Sequence, residues 1–387
     1  MRIAAILPNL PWPRDRGVTQ QAGAFLDALA GAATVDAACL VAEVPGAGAE
    51  VEIARRVARL KVVPVRLQPW RPLWRQVLDP LPPNCRHWFD SDAATQVTAF
   101  FAGQRYDVAL VFDLACLAYA RAALPGVRLW LARSRVDASF QRAQAAQRPG
   151  SWADHIRLRL IERYERRATS LVVGQVVCAP SDEVALREVA PAAGEVLVVP
   201  NGIDLAAHPQ LDGVVAAAQI LFVGAMDYPP NIDAMVWFVR NIWPQVRAEV
   251  PAAQLRIVGR DPTPEVQALA ALPGITVTGA VASVVPEYQR SRVVIAPIRI
   301  GGGTRLKVVE AWALGRPLVA TPIAVDGLAA DTLNTALATA PDQFARAVIR
   351  LLREDDACAA LIHAGRSTAS RYDWQEVTRP LVARITA

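Results

Sequence analysis

Cysteine and histidine are scarce in this sequence of 387 residues. It has five cysteines and four histidines, and the cysteines lack the paired spacing of a disulfide framework or a zinc site. This scarcity argues against a small disulfide-stabilised secreted domain and against a structural zinc cluster. It favours a reducing, cytoplasmic location.

Long apolar runs are also missing. The stretch 108–124 is interrupted by Asp113 and Arg121, so it falls short of the roughly 20 apolar residues that a bilayer-crossing helix needs. The amino terminus opens on a strand-like run at residues 1–7, without the charged region, apolar stretch and cleavage site of a signal peptide. The sequence therefore predicts a protein that neither spans a membrane nor is secreted.

What the sequence has in abundance is short β-branched runs that alternate with helical patterns. This alternation predicts an α/β fold with parallel strands. The length and the 53% hydrophobic content suit two domains, and a turn at residues 200–204 separates two such series. We expect a pair of doubly wound, Rossmann-like domains that face each other across a cleft, with divisions at 1–195, 196–370 and a helix at 371–387 that crosses back to the first domain.

The strongest local signal is a glycine triplet, Gly301 to Gly303, between a strand candidate at 293–297 and a helix predicted from Thr304 to Leu314. Glycines let backbone amides approach an anion, and a helix N-terminus adds positive partial charge. The segment is neither a dinucleotide fingerprint after the first strand nor a Walker A loop. It predicts a phosphate site of another kind.

Three charged residues follow the triplet. Arg305 and Lys307 suit a diphosphate, because arginine can bind two phosphate oxygens and lysine supplies a compact charge. Glu310 can accept hydrogen bonds from a ribose diol. The alternative is a tight loop followed by a Lys–Glu pair on the surface of the helix.

The stretch 301–328, GGGTRLKVVEAWALGRPLVATPIAVDGL, resembles the donor-site signature of retaining glycosyltransferases of family 4, whose fold is GT-B. The block 199–204 resembles the interdomain PNG(I/V)D block of that family, and 222–227 with Asn231 resembles the first strand and turn of its donor domain. The resemblance covers most of residues 196–330 and is much weaker before residue 180.

The resemblance implies a role for each matching residue. Arg305 and Lys307 would hold the diphosphate and stabilise the leaving nucleotide, which makes them the candidate catalytic residues. Glu310 would bind the ribose. The other donor-site candidates are Gly17, Gly224, Asn231, Val281, Gly301, Gly302, Gly303 and Thr304. Among these, Val281 would contact the base, and Gly17 would face the phosphates from the first domain unless it only forms a strand-to-helix turn.

The chain departs from the family pattern at three points. Many members have a sugar-facing glutamate where this chain has Gly302, and an Arg and a Lys that commonly follow the first donor-domain strand are missing from 224–231. The stretch 131–137 lacks the histidine of the family. Its charged residues are our acceptor-side candidates: Arg133, Arg135 and Asp137. They would form a cationic pocket for an anionic acceptor or sugar. The alternative is that the arginines lie on the surface or pair with Asp137 and Glu165.

The resemblance implies a hexosyltransferase that uses a nucleotide diphosphate sugar, with UDP favoured over GDP, and works with retention and without a metal ion or other cofactor. The acceptor would be a saccharide, a lipid-linked saccharide or a small molecule, in polysaccharide or glycoconjugate synthesis. The first domain would bind the acceptor and the second the donor. A non-hydrolysing sugar-nucleotide epimerase and a catalytically impaired nucleotide-sugar-binding protein remain as alternatives.

Aromatic and basic residues are interleaved at 64–89 in a way that suits the headgroup region of an anionic membrane. The first 180 residues carry 23 Lys/Arg and 15 Asp/Glu, a net charge of +8, whereas the rest carries 18 and 21, a net charge of −3. We therefore expect peripheral contact with the inner face of the cell membrane. The alternative is that the tryptophans pack on the first domain or line an acceptor cleft. No nucleic-acid-binding module accompanies the basic residues, so nucleic acid is not an expected partner.

Overall fold

The computed structural model describes residues 1–14, 16–43, 48–147, 151–211, 213–301 and 304–387. The chain divides into two compact units. One comprises residues 1–201 and 375–387, and the other comprises residues 202–374. The predicted divisions lay at 195/196 and 370/371, a few residues before each of these points.

The first unit is built on a parallel sheet whose strands occur early in the chain. In chain order they are β1 (Arg2–Leu7), β2 (Thr34–Val41), β3 (Arg59–Pro64), β4 (Val108–Phe112), β5 (Arg128–Ala132), β6 (Gly174–Val177) and β7 (Glu195–Val198). Within the described residues they form a seven-stranded sheet in the order β3-β2-β1-β4-β5-β6-β7. β1 pairs in parallel with both β2 and β4, which places it at the centre.

The central strands β1 and β4 form because their sequences are nearly continuous apolar runs. All of β4 is buried, and so is β1 apart from its first residue. A strand of a parallel sheet is covered by helices on both faces, so it shows continuous rather than alternating hydrophobicity. The helices of the unit are α1 (Gly17–Ala30), α2 (Ala49–Ala54), α3 (Leu73–Leu78), α4 (Pro83–Trp88), α5 (Ser91–Phe101), α6 (Leu114–Ala123), α7 (Asp137–Gln147), α8 (Trp152–Thr169) and α9 (Pro180–Val189).

The second unit repeats the same plan. Its strands are β8 (Gln219–Val223), β9 (Gln254–Val258), β10 (Ile275–Gly279), β11 (Val293–Ala296), β12 (Leu318–Ala320) and β13 (Ala336–Leu337). Within the described residues they form a six-stranded sheet in the order β10-β9-β8-β11-β12-β13, again parallel. Its helices are α10 (Pro229–Asn241), α11 (Trp243–Glu249), α12 (Pro264–Ala268), α13 (Val285–Arg290), α14 (Leu306–Leu314), α15 (Pro341–Arg353) and α16 (Asp355–Ala369), and α17 (Trp374–Ile385) follows them at the start of the segment that belongs to the first unit.

Each sheet has one position where the strand order reverses, between β1 and β4 in the first unit and between β8 and β11 in the second. In doubly wound sheets, ligands bind outside the carboxyl ends of the strands at such a position. The segments to inspect are therefore those that follow these four strands. Among the described residues, no helix combines the length and apolarity that crossing a bilayer requires.

Two helices of the second unit differ slightly from their predicted limits. The helix predicted from Thr304 begins at Leu306, because Arg305 keeps an extended backbone and serves as the residue before the first turn. The sequence pattern also predicts a helix from about Asn231 to Val239, and this helix, α10, begins two residues earlier, at Pro229, since proline is well suited to the first helical position.

Candidate functional site

The loop that follows β11 leads into α14, the helix with the predicted phosphate-binding residues. Gly301 has φ of +101°, a conformation that side chains disfavour. A Cβ there would lie 3.1 Å from Nη2 of Arg305 and 3.4 Å from Pro230, so the glycine lets the guanidinium pass close to the backbone. Thr304 is buried at the end of this loop. Gly302 and Gly303 lie outside the described residues.

Lys307 lies in the first turn of α14 and is 8% exposed. Its ammonium donates a hydrogen bond to Oδ1 of Asn231 at 2.8 Å and lies 3.8 Å from the centre of the Phe222 ring. Burial lowers the pKa of Lys307 well below its usual value, and the charge of Arg305 lowers it further, whereas Glu310 acts in the opposite direction. The sequence contains 39 arginines and only two lysines, Lys61 and Lys307, so a buried lysine here is an unusual choice for this chain.

Gly224 and Asn231, both predicted at the donor site, surround the same ammonium. A Cβ on Gly224 would lie 2.7 Å from Nδ2 of Asn231 and 3.0 Å from Nζ of Lys307. Nδ2 of Asn231 donates to the carbonyl oxygen of Ala225 at 2.8 Å, which fixes the orientation of the amide. The carboxyl end of β8 and the first turn of α10 therefore form a closely packed support for Lys307.

Glu310 lies three residues after Lys307 on α14 and has a separate partner. The hydroxyl of Tyr288, on α13, donates to Oε2 of Glu310 at 2.9 Å. Tyr288 is fully buried, and burial together with the charge of Glu310 raises its pKa well above the usual value. The alternative raised from the sequence, a surface pair between Lys307 and Glu310, is not the arrangement observed. Lys307 is hydrogen-bonded to Asn231, and Glu310 is hydrogen-bonded to Tyr288.

Val281 lies on the connection between β10 and α13 and is half-buried. It follows Gly279, which ends β10 with φ of +72°. This puts Val281 past the carboxyl end of a strand in the sheet that also contains β8, the strand that Gly224 follows. Its contact with a base stays a prediction.

In the first unit, Gly17 is the first residue of α1, after the connection that follows β1. It is half-buried, and Asp15 in the same connection lies outside the described residues. Arg14 forms an ion pair with Asp27 of α1, which ties this connection to the helix. The role of Gly17 toward phosphates stays a prediction.

The acceptor-side candidates follow β5. Arg133 is 3% exposed, and its guanidinium binds the Glu165 carboxylate and, at 3.2 Å, Oε1 of Gln175. Nε of Arg135 donates to Oδ1 of Asp137 at 3.1 Å. The alternative that these arginines pair with Asp137 and Glu165 is therefore what the structure shows. Arg133 supports the end of β5 from within, and we do not extend the acceptor role to it.

Sequence reasoning missed Asp113, which follows β4 at the position where the order of the first sheet reverses. Its φ is +68°, and its amide donates to the carbonyl oxygen of Ala132 at 2.8 Å. Burial and the nearby charge of Asp137 raise the pKa of Asp113 to about 6, against the opposing effect of Arg135 and Arg133. In the sequence, its only signal was the interruption of an apolar run.

Residues 217–354 match the family model described as glycosyl transferases group 1. These residues are therefore similar to group 1 glycosyl transferases. The match includes Gly224, Asn231, Lys307 and Glu310, and it confirms the predicted enzyme class, a glycosyltransferase. No curated protein matches the chain.

Solved structures match over almost the whole length. They include a sucrose-phosphate synthase from Thermosynechococcus elongatus, with 18% identity, 99% of this chain and 98% of that chain covered, and a TM-score of 0.70. TarM is 10% identical, with 100% of this chain and 99% of that chain covered and a TM-score of 0.71. HepE from Anabaena, in complex with UDP and glucose, is 12% identical, with 99% of each chain covered and a TM-score of 0.68. Such low identities show the fold alone, and the predicted GT-B fold is confirmed.

Proposed function

We propose that this chain transfers a hexosyl group from a nucleotide diphosphate sugar to a hydroxyl of a saccharide, lipid-linked or small-molecule acceptor, with retention and without a metal ion. The observation that carries the proposal is the placement of Arg305 and Lys307 at the start of α14, with Glu310 one turn further along. Cations at a helix N-terminus suit the phosphates of a nucleoside diphosphate, and an acidic side chain suits its ribose diol.

The two cations act on the leaving group. As the bond between the sugar and the phosphate breaks, negative charge grows on the nucleoside diphosphate, and fixed positive charges stabilise that transition state more than the ground state. Arg305 and Lys307 supply here the charge that a divalent cation supplies in metal-dependent transferases. The diphosphate in turn favours the protonated form of Lys307 that burial disfavours.

Retention follows if the acceptor attacks from the side that the phosphate leaves. The acceptor oxygen bonds to the anomeric carbon as the bond from that carbon to the phosphate oxygen breaks. The proton of the acceptor hydroxyl passes to that phosphate oxygen and leaves with the nucleotide. This scheme needs no protein nucleophile, so it places the main demand on the cations of α14.

A UDP-sugar is the donor that we favour. One solved structure with the same fold is HepE in complex with UDP-glucose, and another is HepE in complex with UDP and glucose. In this chain, Val281 is the residue that we propose for contact with the base, and Glu310 is the one for the ribose.

We also propose that the first unit binds the anionic inner face of the cell membrane, where a lipid-linked acceptor is reached from the cytoplasm. Three of the ten tryptophans are strongly exposed, Trp70 at 61%, Trp74 at 62% and Trp152 at 69%. Exposed tryptophans beside arginines suit the interface of an anionic bilayer, where the ring lies among headgroups and the cation meets lipid phosphate.

Two surfaces of the first unit have this character. On α3, Trp74 and Leu78 are exposed and Arg75 stacks on Trp74 with 4.9 Å between its guanidinium and the ring centre. On α8, Trp152 and Arg159 line an apolar hollow of about 370 Å³ with His155 and Ile156. Residues of α4, which follows α3, and of the second half of α8 belong to one core cluster of the first unit.

Turnover separates sugar transfer from the two alternatives. Incubation with UDP-, GDP- and ADP-sugars should give acceptor-dependent release of one nucleoside diphosphate. Arg305→Ala and Lys307→Ala should abolish the release, whereas Arg350→Ala and Lys61→Ala, at exposed positions, should leave it unchanged. Interconversion of the donor sugar without release would instead indicate an epimerase, and nucleotide binding without either reaction would indicate a binding protein.

A further inference from the structure

Lys307 and Glu310 are three residues apart on α14, a spacing at which opposite charges on a helix normally pair. Such a pair would neutralise the ammonium that a diphosphate needs and would occupy the carboxylate that a ribose needs. The structure keeps them apart, with Lys307 bonded to Asn231 at 2.8 Å and Glu310 bonded to Tyr288 at 2.9 Å. The separation therefore depends on two side chains from outside α14.

Of these two side chains, Tyr288 is held more rigidly than a surface residue could be. Its ring is fully buried, and Nε of Arg316 donates to its backbone carbonyl at 2.8 Å. The neighbouring Glu287 binds Arg256 of β9 at 2.8 Å, which attaches α13 to the sheet. The phenol oxygen therefore has a fixed position toward which the Glu310 carboxylate turns.

The bond direction also matters. With a pKa raised well above its usual value, Tyr288 stays protonated and donates its hydrogen to Oε2 of Glu310. A hydrogen bond that a neutral hydroxyl donates to a carboxylate is stronger than one between two neutral groups, and it favours one rotamer of the acid. Oε1 of Glu310 can then accept from a second hydroxyl.

We propose that Tyr288 is a positioning residue of the donor site, whose hydroxyl holds the Glu310 carboxylate away from Lys307 so that the acid binds a ribose diol and the ammonium binds a phosphate. This inference rests on the proposed function, since it names the device that keeps the two halves of the nucleotide site distinct. Tyr288 itself touches neither substrate. Its effect passes through Glu310.

The test compares nucleoside diphosphates with and without ribose hydroxyls. Isothermal titration of UDP, GDP and ADP first selects the nucleotide that binds most tightly, and its 2′,3′-dideoxy form is then titrated. In the wild-type protein the ribose form should bind about tenfold more tightly. Tyr288→Phe keeps the ring and removes only the hydroxyl, so it should reduce that ratio to near one and weaken binding of the ribose form about tenfold.

A matched control and a second variant make the outcome specific. Tyr106→Phe removes a tyrosine hydroxyl that donates to the Asp36 carboxylate at 2.6 Å in the first unit, and it should leave the ratio unchanged. Glu310→Gln should lower the ratio, and adding Tyr288→Phe to it should lower the ratio no further. Near-ultraviolet circular dichroism checks that each variant keeps its packing.

A wild-type ratio in Tyr288→Phe would overturn the inference and leave the proposed function standing. Additive losses in the double variant would likewise overturn it, because Tyr288 would then act independently of Glu310. A wild-type protein that bound none of the three nucleotides would overturn the proposed function itself.

Discussion

The ammonium of Lys307 lies 3.8 Å from the centre of the Phe222 ring and 2.8 Å from Oδ1 of Asn231. Both partners are uncharged. An aromatic face and an amide oxygen stabilise a cation only modestly, whereas burial and the neighbouring Arg305 oppose the charge, so the pKa of Lys307 falls well below its usual value. The site is therefore short of negative charge until a ligand brings it.

Binding of a nucleoside diphosphate should accordingly take up a proton at Lys307. Titrations at several pH values, each in buffers of different ionisation enthalpy, measure the uptake. Lys307→Arg is the control, because a guanidinium stays protonated and only the titration of the diphosphate itself remains. Equal uptake by both proteins would contradict this account.

The same pKa shift has a consequence for stability. The pKa of Lys307 is lower in the folded protein than in the unfolded chain, so the unfolded chain binds more protons between the two values. The contribution of this group to folding stability therefore increases as the pH rises from the folded pKa toward the ordinary value of about 10.4. The nucleoside diphosphate should reverse that trend. Thermal melting with and without UDP between neutral and alkaline pH would show the difference.

Gly224→Ala should disrupt the support of Lys307. The new Cβ would lie 2.7 Å from Nδ2 of Asn231, which cannot retreat easily because it is bonded to the Ala225 carbonyl. We expect a loss of stability of about 1–3 kcal/mol from overpacking and a roughly tenfold loss of nucleotide affinity. Denaturant unfolding and titration with UDP measure the two effects.

Gly31→Ala is the matched control. Its Cβ would meet backbone oxygens at 3.6 Å, an ordinary contact, and its φ of −69° suits alanine. We expect wild-type affinity in that variant. Wild-type affinity in Gly224→Ala as well would show that Lys307 does not depend on this close packing.

The parts of the site that the sequence revealed are those built from neighbouring residues. Arg305, Lys307 and Glu310 lie within six residues of one another, so their spacing and the family resemblance together suggested their roles. Tyr288 could not be found this way, because it comes from a separate short helix 22 residues before its partner Glu310. The contact exists only once β11 and α14 have packed beside α13.

The first unit shows the same limit. The continuous apolar runs of β1 and β4 were sufficient to predict a parallel sheet. The Arg133–Glu165 pair could be raised only as an alternative, since whether an arginine points inward depends on the depth at which α8 packs. Patterns of hydrophobicity specify layers, whereas the partner of a buried charge is set by tertiary packing.

Asp113→Asn should remove a pH dependence of stability. The folded pKa of about 6 exceeds the unfolded value of about 3.9, so the folded protein binds more protons between these values and loses stability as the pH rises through that window. Asparagine keeps the positive φ at low cost and carries no charge. We expect the variant to be stabilised by about 1–3 kcal/mol at neutral pH and by much less near pH 4.

The groups that face Asp113 determine how far its pKa is raised, and therefore how large this pH dependence of stability is. Asp137 raises its pKa, and Arg135, Arg133 and the Ala115 amide lower it. Asp137→Asn should therefore lower the pKa of Asp113 and give a smaller version of the same stabilisation. If both variants had the same melting temperature as the wild type at every pH, this would contradict the raised pKa of Asp113.

Membrane binding by the first unit should depend on a few exposed side chains. Trp74→Ala with Leu78→Ser removes two apolar groups of α3 that are 62% and 78% exposed, without touching its core. We expect co-sedimentation with vesicles that contain phosphatidylglycerol to fall at least tenfold, since each buried apolar side chain contributes roughly 1.5–3 kcal/mol. Arg159→Glu on α8 should weaken binding to anionic vesicles further and should make the remaining binding less sensitive to salt, because one attraction between a cation and lipid phosphate is lost.

Leu333→Ser is the matched control, because Leu333 is 71% exposed but belongs to the second unit. It should sediment like the wild type. Vesicles of phosphatidylcholine alone should recruit the wild-type protein poorly, since the attraction between arginine and lipid phosphate needs a net negative surface. Equal binding of both vesicle types by all variants would show that the exposed tryptophans serve another partner, and a vesicle-independent dimer would point to a second copy of this chain.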